Sequence, residues 1–499
     1  LRPAERRCNQ MADTTSEIAP MTPLPGGGLL TGTRGARLDV SATTTIRGGR
    51  FAAGPLDDYT YIPVLVPPGV GELQIACDYG LDEGNLLNIG IFGPEGRELG
   101  NDAGFRGWSH GGRQGRRRFV ISESRATPGY LPGPISPGTW HVALNPHSVA
   151  TDGLDWTLVV TMLNLPPGRR FVPRMATSVV NETPAWYRGD LHLHTEHSDG
   201  EQTPAEVSAR AVLCGLDFIV PTDHNTISAQ QHWGEVERPG LLVLCGEEVT
   251  TPAGHWGAIG LGPGVWIDFR YRPGDSQLRR FVDRVRGAGG IAIANHPQRR
   301  SHQGCGWDFD ASEMDAVEVW NGAWTASDDE AVRMWDGLLR TGHRLVAVGG
   351  SDSHNEDQPI GHPQTVVGAA GLNRDAVVAA LRAGHAYVAA DSRVNLDLGV
   401  ESDGAAAGMG GRLVVRADET VAVTLRVSGA MGSRVTLHTD LGIVHEVVVA
   451  QPVAAVLWET VSDATRYVRA EVRSARGEML ALSNPVWIET AGGGCDPVY

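Results

Sequence analysis

Apolar and polar positions change rhythm twice along the chain. Short apolar stretches at 59–66, 72–77, 87–92, 118–121, 139–144 and 156–163 alternate with polar residues, and proline- and glycine-rich turns separate them. That spacing predicts a β-sandwich over residues 28–168. The segment 164–168 (Asn-Leu-Pro-Pro-Gly) reads as a linker. From 186 to 392 the pattern differs. Apolar stretches of four to six residues (188–193, 218–221, 241–244, 291–294, 316–319, 345–348, 365–367) alternate with helical periodicity at 204–213, 277–288, 328–341 and 374–383. About seven strand–helix units predict a parallel sheet long enough to close as a barrel. Beyond 393 the short β-rich stretches return (413–416, 421–427, 435–439, 444–449, 467–473), which predicts a second β-sandwich-like domain over 393–489. Residues 1–27 and 490–499 are expected to be tails.

Composition narrows the function. The chain has 499 residues, enough for several domains, and 41% of them are hydrophobic. Asp and Glu outnumber Lys and Arg by 58 to 42, a net charge of −16, so a nucleic-acid partner is not expected. No apolar stretch is long enough to span a bilayer, and the N-terminal residues carry no signal-peptide pattern. The six cysteines are scattered and form no C-x-x-C pair, which fits free thiols in a reducing compartment. The expected location is therefore cytoplasmic, and the sequence is silent on oligomeric state.

The histidines concentrate the chemistry. Of 17, 12 lie between His192 and His385. The first strand of the middle segment runs into Asp190-Leu191-His192-Leu193-His194, where alternation points both imidazoles to one face. Asp199 follows five residues after His194. The next strands end in Asp223-His224, Gly246-Glu247-Glu248 with His255 nearby, Asn295-His296-Pro297, and Ser351-Asp352-Ser353-His354. Imidazole and carboxylate donors together suit a borderline divalent metal such as Zn, Mn or Fe, and in β/α barrels reactive groups gather at the C-terminal ends of the strands. His197 and Asp223 are expected to orient neighbours or move protons, and Asp352 is a further candidate for proton transfer. Arg299 and Arg300, just beyond His296, are candidates to meet an anionic substrate, with a solvated surface role as the alternative. Trp256, Trp320 and Trp324 are candidate pocket walls or packing residues. His302, His343, His362 and His385 are expected to be loop or structural residues.

The ordered series H-x-H, D-H, G-x-E, H-P and S-D-x-H resembles the PHP (polymerase and histidinol phosphatase) superfamily of metal-dependent hydrolases, over residues 188–390. The turn at 126–134 (A-T-P-G-Y-L-P-G-P), the P-G-T-W at 137–140 and the flanking β domains resemble its carbaryl-hydrolase-like branch. The resemblance implies a multidomain chain with a central distorted (β/α)7 barrel between two β-sandwich-like domains. It implies two or three divalent ions. One would be held by His192, His194, Glu248 and Asp352, and a second by Asp199, His224 and His354. A third would be held by Glu248, His255 and His296. Glu247 is the alternative to Glu248 as the bridging carboxylate.

Paired divalent ions make a hydroxide from shared water near neutral pH, and no G-x-S-x-G nucleophile turn is present. The expected activity is hydrolysis of a phosphate mono- or diester of a small molecule by a metal-bridging hydroxide. A carboxylester or carbamate hydrolase with an apolar aryl slot is the alternative, and a non-catalytic metal- or carbohydrate-binding protein is a further one.

Overall fold

The computed structural model describes residues 41–53, 59–81, 84–111, 116–166, 168–299 and 307–491, together with the backbone of Ala12–Thr14. Apart from that short strand, most of the two expected tails lies outside the described residues. The chain divides into two units, Leu1–Pro173 and Arg174–Tyr499.

The first unit consists of two antiparallel sheets around one apolar core. One sheet pairs Ala12–Thr14, Ala42–Phe51, Leu154–Leu163, Glu72–Tyr79 and Arg118–Ser122 in that order. The other pairs Thr60–Val66, Gly138–Ser148, Leu86–Phe92 and Phe105–Ser109. In Leu154–Leu163 the period of two is plain: Leu154, Trp156, Leu158, Val160 and Met162 are buried, while Asp155 and Thr157 are exposed. Ala42–Phe51 and Phe105–Ser109 are strands that the apolar pattern does not mark. Ala42–Phe51 is rich in Thr, Gly and Arg, and it is fixed by ten residues of pairing with Leu154–Leu163. The turn at 126–134 is organised by Arg106, which donates to the carbonyls of Leu131, Gly133 and Pro134.

In the second unit the helices form where their caps and apolar faces place them. Pro204–Leu213 starts at a Thr203/Glu206 capping box with proline in its first turn, and buries Val207 and Ala211. Ala326–Arg340 buries Ala331, Val332, Trp335 and Leu339 along one stripe. Arg374–Arg382 is capped by the Asn373 side chain, which accepts from the Ala376 amide at 2.8 Å.

The expected closed barrel of seven strand–helix units is not formed as one continuous ladder. The strands divide between two sheets, and among the described residues the unit holds four α-helices, Gln277–Gly287 being the fourth. The reason lies in two reversals of direction. After Cys245–Thr251 the chain turns back at once as Gly254–Leu261, an antiparallel hairpin that precedes the expected helix, which forms at Gln277–Gly287. This hairpin heads a sheet that continues through Ile291–Ala294, Ala316–Asn321 and Val346–Gly350. In the other sheet Phe218–Pro221 lies parallel to Ala185–Leu193, but Gln364–Ala369 runs antiparallel to it. From there the sheet passes through Ala386–Ala389 to Met479–Ser483 and Tyr467–Arg473, so the C-terminal strands extend it directly. Asn395–Ser402, Thr420–Ser428 and Val453–Val461 form a further sheet over a core that includes Val366 and Tyr387 of the middle segment.

The two sheets of the middle segment meet at two short seams. At one, Leu193 bridges Ser353, with the Asp352 amide donating to the His192 carbonyl at 2.8 Å and the His194 amide to the Ser353 carbonyl at 3.0 Å. At the other, His224 bridges Glu248, with the Asn225 amide donating to the Glu248 carbonyl at 3.0 Å. Among the described residues, no helix is long and apolar enough to cross a membrane. Cys77, Cys214 and Cys245 are free thiols, while Cys8, Cys305 and Cys495 lie outside the described residues.

Candidate metal centre

The seams bring the candidate ligands together. His192 and His194 leave the end of Ala185–Leu193 on one face and are 2% exposed. Gly350, on the facing strand, permits this approach, because a Cβ there would lie 2.5 Å from the His192 Cβ. The loop after His194 folds back tightly, and a Cβ on Gly200 would lie 2.7 Å from the His194 carbonyl carbon. Asp223 holds that loop. Its carboxylate accepts from the Thr195 amide (2.8 Å), the Thr195 hydroxyl (2.7 Å) and the Ser198 hydroxyl (2.7 Å). Asp199 is thereby set 3.9 Å from His194, 3.6 Å from His224 and 3.4 Å from His354. Asn225, His296 and Asp352 adopt positive φ (56°, 30° and 51°), backbone strain gathered at one place.

Four overlapping groups have ligand atoms within 4.8 Å of one another: His194, Asp199, His224 and His354; His192, His296 and Asp352; His192, His194 and Glu248; and His224, Glu248 and His255. Glu248, fully buried on Cys245–Thr251, is the hub. Its oxygens lie 3.3 Å from His192, 3.5 Å from His194, 2.9 Å from His224, 3.4 Å from His255 and 3.1 Å from His296. Asp352 lies 3.3 Å from His192 and 3.0 Å from His194. All nine sequence-predicted ligands thus fall in one cluster. Glu247 turns elsewhere and accepts from the Ile267 amide at 2.8 Å.

The electrostatics favour positive charge. Burial would raise the carboxyls of Glu248, Asp199 and Asp352, but the surrounding imidazoles hold all three well below the usual range. Burial pushes His194 down to about 3 and His255 to about 4, so both are neutral nitrogen donors at pH 7. Burial opposes charge on His354 as well, yet Asp199 and Asp352 outweigh it and lift that imidazole to about 10.

His192 Nε2, His194 Nδ1, Asp199 Oδ1, Glu248 Oε2, His255 Nδ1 and His296 Nδ1 are buried and make no hydrogen bond. An unsatisfied buried polar atom costs roughly 1–3 kcal/mol. A divalent cation satisfies several at once, so this donor set fits a metal centre with mixed nitrogen and oxygen ligands.

Two supporting residues were missed from sequence. Glu318 is 2% exposed in Ala316–Asn321; one carboxylate oxygen meets His192 Nδ1 at 3.0 Å, and the other accepts from the His296 amide at 2.8 Å and from Asn321 Nδ2 at 3.1 Å. A lone carboxylate in the otherwise apolar A-V-E-V-W was the available signal, since a buried charge needs partners. Asn295 donates to Glu248 Oε1 at 2.9 Å; as the residue before a predicted ligand it carried no signal of its own.

The remaining candidates lie around this cluster. His197 Nδ1 meets the Ser228 hydroxyl at 2.8 Å, outside the four groups. Arg299 Nη1 donates to Asp352 Oδ2 at 3.0 Å and to Asn321 Oδ1 at 2.7 Å. Arg300 lies outside the described residues. Beside the cluster is a cavity of about 320 Å³ whose lining includes His296, Arg299, Glu318, Asn321, Ser327 and Asp352. None of the three tryptophans considered as pocket walls lines it. Trp256 is fully buried and donates to the Tyr271 hydroxyl, Trp320 donates to the Gly322 carbonyl, and Trp324 packs edge-on against Trp320.

No family model matches the chain. An uncharacterized protein of Methanocaldococcus jannaschii is 28% identical over 146 residues, which is 27% of this chain and 81% of that protein. Among solved structures, a two-domain protein of Bacteroides vulgatus, described as containing a predicted PHP-like metal-dependent phosphoesterase, is 17% identical with a TM-score of 0.35; the match covers 64% of this chain and all of that one. An amidohydrolase of Chromobacterium violaceum, with bound sulfate and no metal, is 20% identical with a TM-score of 0.28, over 35% of this chain and 90% of that one. At these TM-scores the likeness adds nothing to what the side-chain geometry says.

Proposed function

We propose that this protein is a metal-dependent hydrolase of small phosphoesters. The observation that carries the reading is the arrangement at the cavity floor. A cluster of buried donor atoms, six of them without hydrogen bonds, lies beside a cavity into which a half-exposed arginine reaches. His192, His194, Glu248 and Asp352 would share one ion, with Asp199, His224 and His354 beside it and with His255 and His296 at Glu248 Oε1. Divalent ions there would supply the acidity that makes water nucleophilic near neutral pH and would stabilise charge on the phosphoryl oxygens.

The chain's own residues do the rest. Glu318 fixes His192 through Nδ1, leaving Nε2 to face the centre. Asp223 holds the loop that carries Asp199, and Asn295 orients Glu248. Arg299 uses Nη1 on Asp352 and Asn321; its Nε and Nη2 make no hydrogen bond among the described residues and are available to a phosphate. Carboxamides and hydroxyls such as Asn321 and Ser327 favour a polar leaving group. The buried positions of Trp256 and Trp320 weigh against an aryl carbamate slot.

The test is turnover of p-nitrophenyl phosphate, bis-p-nitrophenyl phosphate and 1-naphthyl N-methylcarbamate by metal-reconstituted protein, with His194→Ala as control. The reading expects hydrolysis of a phosphate ester that requires metal and is lost in the variant. Carbamate hydrolysis alone would move the assignment to the ester and carbamate class, and no metal-dependent turnover would leave a binding protein.

A further inference from the structure

We infer that the C-terminal strand Tyr467–Arg473 positions one wall of the substrate cavity, acting through the helix Ala326–Arg340, and that Arg473 and Arg469 are its positioning residues. This rests on the cavity being the substrate site of the proposed hydrolase.

The first two turns of Ala326–Arg340 line the cavity through Ser327, Asp328 and Ala331, with Thr325 as the cap. His296 and Asp352 of the metal cluster line it as well. The helix is gripped along its length by the C-terminal strand and the residue before it. Near its start, Arg473 Nη1 donates to Asp329 at 2.9 Å, while the same guanidinium lies 5.2 Å over the Trp324 ring. At its middle, Arg469 Nε and Nη2 donate to Asp336 at 3.0 and 2.8 Å, and the Tyr467 hydroxyl meets the same carboxylate. At its end, Arg466 Nη2 donates to the Arg340 carbonyl at 2.7 Å. Glu471 ties the two central arginines together, at 2.8 Å from Arg469 and 2.9 Å from Arg473.

The position of the helix reaches the reactive groups through hydrogen bonds. Asp328 accepts from the Asn321 amide at 3.0 Å. The Asn321 side chain accepts from Arg299 and donates to Glu318, which holds His192 and the His296 amide. A shift of this helix therefore moves both the cavity wall and the arginine that would meet the phosphate. The ligand carboxylates and imidazoles stand on other strands and loops. Loosening the grip should change substrate binding far more than metal binding.

Arg469 is 2% exposed between two carboxylates, so its removal endangers folding. The test uses the rim pair instead. Arg473→Gln, Asp329→Asn and Arg473→Lys are made in the full chain, with Arg426→Gln, from an exposed pair with Asp397, as control. After metal reconstitution, Arg473→Gln and Asp329→Asn should raise KM for p-nitrophenyl phosphate between about 2- and 30-fold, with kcat within about twofold and metal content unchanged. The double variant should be no worse than the single ones, Arg473→Lys should recover part of the loss, and amide exchange over 322–331 should quicken. An unchanged KM in folded Arg473→Gln, or a fall in kcat that tracks lost metal, overturns the inference. If the unaltered protein hydrolyses no ester, the proposed function falls. The positioning role is then decided by amide exchange over 322–331 and by the Kd for inorganic phosphate: both must change in Arg473→Gln, and it is refuted if either does not.

Discussion

Replacing Glu318 by Gln keeps the volume of the side chain but removes one of two acceptor oxygens. Three donors converge on that carboxylate: His192 Nδ1 at 3.0 Å, the His296 amide at 2.8 Å and Asn321 Nδ2 at 3.1 Å. A glutamine whose carbonyl serves the last two turns its NH2 toward His192. Nδ1 must then accept, which moves the imidazole proton to Nε2, the atom that faces Glu248 and Asp352. The opposite rotamer sets two amide donors against an NH2 group. Either way His192 is lost as a nitrogen donor or held in a poorer geometry. Partners of this kind are worth about 10- to 100-fold in metal affinity, or about 1.4–2.7 kcal/mol. Competition with a chromophoric chelator should show that weakening at the tightest site, while circular dichroism stays that of a folded protein. An affinity within about twofold of the unaltered chain, in a folded variant, would refute the role given to Glu318.

Arg299→Gln should lower kcat/KM for a phosphate ester by about 10²–10³-fold, with metal content intact, because a guanidinium on developing phosphoryl charge is removed; an unchanged value would dismiss Arg299 as a substrate contact. Acid should destabilise the second unit, the ligand cluster included, and the share carried by the C-terminal strands has two stages, read by chemical denaturation at a series of pH values. Burial, together with Arg469, lowers His438 to about 4 from an ordinary 6.5, so the unfolded chain takes up the proton first and stability falls between those values. Burial opposes charge on Glu471, but Arg469 and Arg473 hold it at about 2 against 4.5, so its share, about 3 kcal/mol at most, is lost as pH falls from 4.5 toward 2. Glu471→Gln should flatten the second stage and lower stability at pH 7, where Arg469 loses a partner; a second stage of undiminished depth in the variant would contradict the assignment.

His192, His194, His224, His296, Asp352 and His354 were legible because each sits in a short local motif at or just past a strand end, where alternation or a following turn fixes its direction. His192 and His194 needed only a period of two. Residues that act on other side chains were harder to read. Glu318 left a trace as a charge in an apolar strand, and Asn295 left none. The barrel expectation failed at strand direction. Apolar periodicity marks 241–244 and Ile291–Ala294 as buried strands but does not say that the chain between them runs on as Cys245–Thr251 and returns as Gly254–Leu261. Nor does it say that Gln364–Ala369 runs antiparallel to Ala185–Leu193 and leads on to the C-terminal strands. Ala42–Phe51 escaped because its Thr and Gly residues carry no alternation and its place is set by a partner more than 100 residues away. The tryptophans stayed open between pocket wall and core for a related reason. An indole is equally at home in a pocket wall and in a core, and only tertiary packing puts Trp256 against Tyr271.

Metal stoichiometry of the full chain tests the central claim most directly. After reconstitution with Zn, Mn or Fe and removal of free ion, elemental analysis should find two or three ions per chain, falling in His194→Ala and in Glu248→Gln while both variants stay folded. Fewer than one ion per chain, or a content indifferent to both substitutions, would contradict a metal centre at Glu248 and the hydrolase built on it.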